Sequence, residues 1–125
     1  MNKSKFISLR EIEGMDSPHQ FQLEEALKKQ VRGLDHISDI PGLAAFIGGE
    51  IEKPGLNEDW AISKEVFPDV NIHFIFNHAD EEFPANLRVF YSGDKAKSAP
   101  ADILAGITMC YVGYMVKYTI CPIEQ

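Results

Sequence analysis

The sequence predicts an α+β domain: an antiparallel sheet of three to four strands with helices packed on one face. Three observations carry that prediction. Residues 70–77 alternate in polarity, a second alternating run follows at 87–91, and a short connection joins them. Helix start and stop signals gather in the first half of the chain. A long apolar run, Ile103 to Val116, lies near its end. Short connections favour antiparallel pairing, because a parallel pair needs a crossover of a dozen residues or more.

The elements follow in order. Lys5 to Ile12 places Ile7 and Leu9 on one side and Phe6, Ser8 and Arg10 on the other, which predicts a short strand broken at Gly14-Met15-Asp16. Ser17-Pro18-His19-Gln20 is a helix start: Ser17 suits the N-cap, Pro18 the first turn, and Gln20 a capping box. The helix is expected over 18–32, ending before Gly33, with Phe21, Leu27, Val31 and Leu34 along its apolar stripe. Glu24, Glu25, Lys28 and Lys29 offer two ion pairs on its wet face. A shorter helix is expected over 40–47, capped by Asp39 and stopped by Gly48-Gly49, with Leu43, Phe46 and Ile47 facing inward. Glu50 to Asp59, with Pro54-Gly55, reads as a surface loop.

The second half is more legible. Trp60 to Val66 reads as a strand turned by Phe67-Pro68-Asp69. Val70, Ile72, Phe74 and Phe76 then share one face, opposite Asn71, His73, Ile75 and Asn77. Leu87, Val89 and Tyr91 face one way on the next strand, which Ser92-Gly93-Asp94 ends. The strands 70–77 and 86–91 are expected to pair as the sheet's centre. A last helix is expected from Pro100 to Tyr118, capped by Ser98 or Ala99, across the apolar face. Its apolar residues surround most of its circumference, which predicts burial on more than one side. Phe74, Phe76, Leu87, Val89, Ile103 and Ile107 are the expected core.

Composition bounds what the domain does. Hydrophobic residues make up 45% and charged residues 25% of 125, an ordinary globular balance that excludes a disordered chain and is read as one domain, 1–125. Nineteen acidic against twelve basic residues give a net charge of −7, which repels phosphate backbones, so no nucleic-acid partner is expected. The run Ile103 to Val116 reaches only about 21 Å as a helix, short of a hydrocarbon layer of about 30 Å. No membrane role is expected, and a cytoplasmic location is. Cys110 and Cys121 lie about 16 Å apart along an intact helix, too far for a disulfide, and are expected buried and reduced.

The run Phe67-Pro68-Asp69-Val70-Asn71-Ile72-His73-Phe74, then Asp80-Glu81-Glu82-Phe83-Pro84-Ala85 and Leu87 to Tyr91, resembles the C-terminal part of a prokaryotic domain-of-unknown-function family, number 3786. Ile7 to Ile12 resembles an internal segment of the same family. The resemblance covers most of the chain and implies that the family's N-terminal portion is lacking. It implies a fold and an anaerobic, prokaryotic setting, but no activity. Some members carry an iron–sulfur motif whose cysteines are not found here, so that property is not carried over.

Chemistry-bearing residues are sparse. None of His19, His36, His73 and His78 has zinc-site spacing, and His19 and His36 are expected solvated. His78, Asp80, Glu81 and Glu82 form the best ligand-like cluster; His78, Asp80 and Glu82 share one direction in an extended segment and are the candidate ligands for a hard divalent cation. The competing reading has these carboxylates bonding backbone N–H groups of the connection. His73, with Arg88 expected across the hairpin from it, completes the candidate ligand-binding set. No nucleophile elbow, catalytic set or cofactor fingerprint appears, so no cofactor is expected. The expected function is a non-enzymatic binding or protein-interaction module for an unknown small molecule, partner protein or second copy of the chain. The alternative is a metal-dependent or cofactor-handling accessory enzyme of anaerobic metabolism using residues 78–82.

Overall fold

Alternation in Val70–Asn77 gives a strand with one apolar face, and that strand organises the molecule. The computed structural model describes residues 6–120. Four strands, β1 (Glu50–Ile51), β2 (Trp60–Phe67), β3 (Val70–Asn77) and β4 (Asn86–Ser92), form one antiparallel sheet in the order β1-β2-β3-β4. The β3–β4 pair is present as expected, with His73 opposite Phe90 and Ile75 opposite Arg88. The sheet's centre, however, is β2–β3, because β4 lies at an end of the order. β1 occupies residues expected to be loop: Glu50 and Ile51 pair with Ser63 and Ile62.

A tight turn joins β2 to β3. Asp69 adopts φ 64, and its N–H donates to the Glu65 carboxylate at 3.2 Å. The segment after β4 passes so close to this turn that only glycine fits. Gly93 has φ 113, and a Cβ there would sit 2.0 Å from the Asp69 carbonyl oxygen.

Among the described residues four α-helices, α1 (Leu9–Glu13), α2 (Pro18–Leu34), α3 (Ile40–Ile47) and α4 (Ala101–Ile120), accompany the sheet. The expected N-terminal strand is corrected to a single bridge, Ile7 with Tyr91, followed at once by α1. The reason is a capping box: Glu11 accepts from the Ser8 N–H at 2.6 Å while Ser8 caps the first turn. In α2, Ser17 accepts from the Gln20 N–H as expected. The Gln20 side chain does not close a box; it accepts from the Leu9 N–H at 3.0 Å and joins α2 to α1. The helix runs through Gly33, which packs against Val116 of α4. Phe21 is exposed, off the buried stripe of Leu23, Leu27, Val31 and Leu34. In place of the expected pairs four residues apart, Glu25 meets Lys28 three residues on at 3.3 Å, and Glu24 turns to Arg10 at 3.2 Å.

α3 has the expected bounds and its Asp39 cap, and Gly48 stops it in the left-handed conformation at φ 72. Leu43, Ala44 and Ile47 are buried, but Phe46 is exposed and meets the Tyr118 ring. α4 corrects the expectation of burial on several sides. Ala101, Leu104, Thr108, Val112 and Met115 form one buried stripe, while Ile103, Cys110 and Tyr114 are exposed. Ile103 therefore leaves the expected core and Ile107 is only half-buried; Phe74, Phe76, Leu87 and Val89 are in it. Cys121 lies outside the described residues.

The core unites the helices' buried stripes with one sheet face: Trp60, Ile62, Val70, Ile72, Phe74, Phe76, Leu87, Val89 and Tyr91. Tyr91 fixes this layering, its hydroxyl sharing a 2.7 Å hydrogen bond with Thr108 of α4. The other sheet face carries the even-numbered residues of β4 and the odd-numbered residues of β3. It is covered in part by residues 52–58, which bond to Arg88 and Asn77.

Candidate functional site

That second face is floored by β3 and β4 and walled by the segment 52–58. The segment is held across the sheet by polar bonds. Arg88 Nη2 donates to the Leu56 carbonyl at 2.9 Å and to Asn77 Oδ1 at 3.2 Å, and Asn77 Nδ2 donates to the Asn57 carbonyl at 2.7 Å. Gly55 and Asn57, both at positive φ, let the chain double back there. Between this wall and the strands lies a cleft of about 620 Å³, lined by Phe6, Glu52, Lys53, Pro54, Leu56, His73, Phe90 and Ser92. The volume falls among those of small-molecule sites.

His73 is at the centre of the cleft floor and is only 6% exposed. Its Nδ1 lies 2.7 Å from Glu52 Oε2 and its Nε2 lies 2.6 Å from Ser92 Oγ. Phe6 stacks on the imidazole, with ring centroids 4.0 Å apart and planes inclined by 24°. A carboxylate only accepts hydrogen bonds, so Glu52 selects the tautomer with the proton on Nδ1. In that neutral tautomer Nε2 presents a lone pair that can accept from the Ser92 hydroxyl at 2.6 Å. The result is a directed chain from hydroxyl through imidazole to carboxylate, with apolar walls of Phe6, Phe90, Pro54 and Leu56.

The expected site residues divide into three places. His73 lies in the cleft, opposite Phe90 and Ser63, and Arg88 does not face it as expected but pins the cleft wall instead. His78 is drawn away toward α2: its Nδ1 lies 3.0 Å from Asp35 Oδ1, which also accepts from the Ala79 N–H. This contact holds the Asp35 carboxyl below its ordinary value. Asp80 turns back on its own loop, accepting from the N–H groups of Glu82 at 2.9 Å and Phe83 at 2.8 Å. The residues of Glu81 and Glu82 are exposed. Among the described residues, no three His, Cys, Asp or Glu side chains are grouped to hold a metal ion.

Glu52 and Ser92 were missed as site residues. Ser92 was accessible to strand parity, since it shares the face of Arg88 and Phe90 on β4. Glu52 was not, because it follows a two-residue strand inside a segment without periodicity.

A four-stranded antiparallel sheet with helices on one face and a polar-floored cleft on the other defines an α+β domain. The chain belongs to the family described as a domain of unknown function (DUF3786), which matches residues 1–114. No curated protein and no solved structure matches the chain. Among the described residues, no helix is long and apolar enough to cross a membrane.

Proposed function

We propose that the domain binds a small molecule in the cleft on the helix-free sheet face. The buried His73 with both ring nitrogens engaged, set between aromatic and aliphatic walls, carries this reading. Burying an imidazole, a hydroxyl and part of a carboxylate costs stability unless the group is well satisfied, and an apolar floor would cost nothing of the kind. The ligand class follows from the lining: an apolar, flat body against Phe90, Pro54 and Leu56, with one polar end toward Glu52 and Lys53. No observation favours metal-dependent chemistry at residues 78–82, where His78 and Asp80 turn to separate partners.

A fragment screen on isotope-labelled protein by heteronuclear NMR tests the reading. Binding fragments are expected to shift the amides of residues 52–56, 73, 90 and 92 together. Leu56→Trp, which fills the cleft from its wall, is expected to abolish those shifts while keeping the melting transition. Fragments that bind only elsewhere, or bind Leu56→Trp equally well, would refute it.

A further inference from the structure

Within this cleft, and resting on the binding reading above, we propose that Ser92 is a nucleophile that accepts small acyl groups from esters and thioesters. His73 acts as its general base and Glu52 is the positioning residue. The polar chain has the required order and spacing. Ser92 Oγ is 2.6 Å from Nε2, and Glu52 holds Nδ1 at 2.7 Å on the far side of the ring. An oriented hydroxyl–imidazole–carboxylate set makes a neutral serine nucleophilic because the proton leaves as the new bond forms.

The acyl step balances as follows. Ser92 Oγ attacks the carbonyl carbon, and its proton passes to His73 Nε2. The tetrahedral adduct collapses with cleavage of the carbonyl carbon's bond to the leaving oxygen or sulfur, which takes the proton back from Nε2. In the second half, water attacks the acyl carbon, gives a proton to Nε2, and Ser92 departs with that proton to leave a carboxylic acid. No other reactant is consumed.

Two features set the substrate class. Ser92 is only 3% exposed, so the acyl end must be slim, of acetyl or propionyl size. The apolar leaving group then lies on Phe90, Pro54 and Leu56. Among the described residues, Lys53 is the one permanently cationic residue lining the cleft, and it would supply charge to the developing oxyanion. A single mobile ammonium gives less help than paired backbone donors, which points to esters and thioesters over amides.

The test uses p-nitrophenyl acetate on the whole chain, with release of p-nitrophenolate and peptide mass spectrometry as readouts. The expected result is a burst of about one equivalent with the acetyl group on Ser92, lost in Ser92→Ala. His73→Gln is expected to slow acetylation by about 100-fold or more. Glu52→Gln keeps shape but loses control of the tautomer, and is expected to slow it at least about tenfold, with Glu52→Asp restoring most of the rate. If His73→Gln does not fold, the Glu52 pair carries the decision, since a structural role gives no rescue specific to a carboxylate. Acetyl groups only on surface lysines, or a Ser92 rate indifferent to both neighbours, would overturn the inference. The inert amide 4-nitroacetanilide separates the two levels: cleft shifts without Ser92 acetylation sink the nucleophile and leave the binding reading standing. Absence of both sinks the two together.

Discussion

Tyr91 shows how one residue fixes a layer. Its ring is fully buried and its hydroxyl is bonded to Thr108, whose own hydroxyl donates to the Leu104 carbonyl at 2.7 Å. Burial pushes the Tyr91 phenol up to about 12, against a lowering from the Thr108 hydrogen bond. The folded state therefore holds this proton more tightly than the unfolded chain. Stability from Tyr91 is whole below its ordinary value of 10.0 and is lost as pH rises from there toward about 12. Tyr91→Phe is expected to cost about 1 kcal/mol at neutral pH and to flatten that alkaline limb, measured by urea titrations across pH. Asp80 is the second test at this scale. Because it caps its own loop, Asp80→Ala should cost about 1 kcal/mol, whereas Glu81→Gln and Glu82→Gln should each change stability by less than about 0.5 kcal/mol. Adjacent acids in a sequence suggest a shared site. Here the turn separates their roles, and denaturation of the three variants checks it.

At the level of elements, legibility followed periodicity. The bounds of β3 could be read because Val70, Ile72, Phe74 and Phe76 recur at every second position, with Ile75 as the one apolar residue on the opposite face. α1 could not be read so simply: Ile7 and Leu9 fit strand parity, but the pair Ser8 and Glu11 decides for a helix through its caps. The reading of α4 failed for another reason. Counting apolar residues around the helix hid that full burial is confined to Ala101, Leu104, Thr108, Val112 and Met115, flanked by half-buried Ile107, Tyr111 and Val116. Gly33 looked like a stop, yet packing on Val116 keeps it helical, a tertiary contact that no local signal announces. The turn–turn contact at Gly93 is the sharpest test of an element junction. Gly93→Ala forces a side chain into φ 113 and against the Asp69 carbonyl. It should cost at least about 2 kcal/mol and lower the melting temperature, while Gly55→Ala, where a Cβ meets nothing, should cost less.

For the whole molecule, half of the cleft could be read in the sequence and half could not. Alternation puts His73 of β3 and Arg88 of β4 on one face, but Ser92 reads as part of the turn that ends the strand, and nothing in spacing brings Glu52 to them. Self-association remains our proposal for α4's outward side, supported by Ile103 at 45% and Tyr114 at 52% exposure. Sedimentation velocity should show a dimer that Ile103→Glu and Tyr114→Glu together dissociate; a monomer at high micromolar concentration rejects it. The cleft has a consequence for how the chain folds. Glu52 lies 21 residues before His73, and Ser92 lies 19 after it. The three meet only when β3 has gained both neighbouring strands, so the cleft is absent from any intermediate in which either pairing has yet to form. A compound that fits it must favour the finished native state alone, by about 2.7 kcal/mol at a hundredfold excess over its Kd. Occupancy of the cleft is thus a gauge of completed folding, lost as soon as either pairing opens.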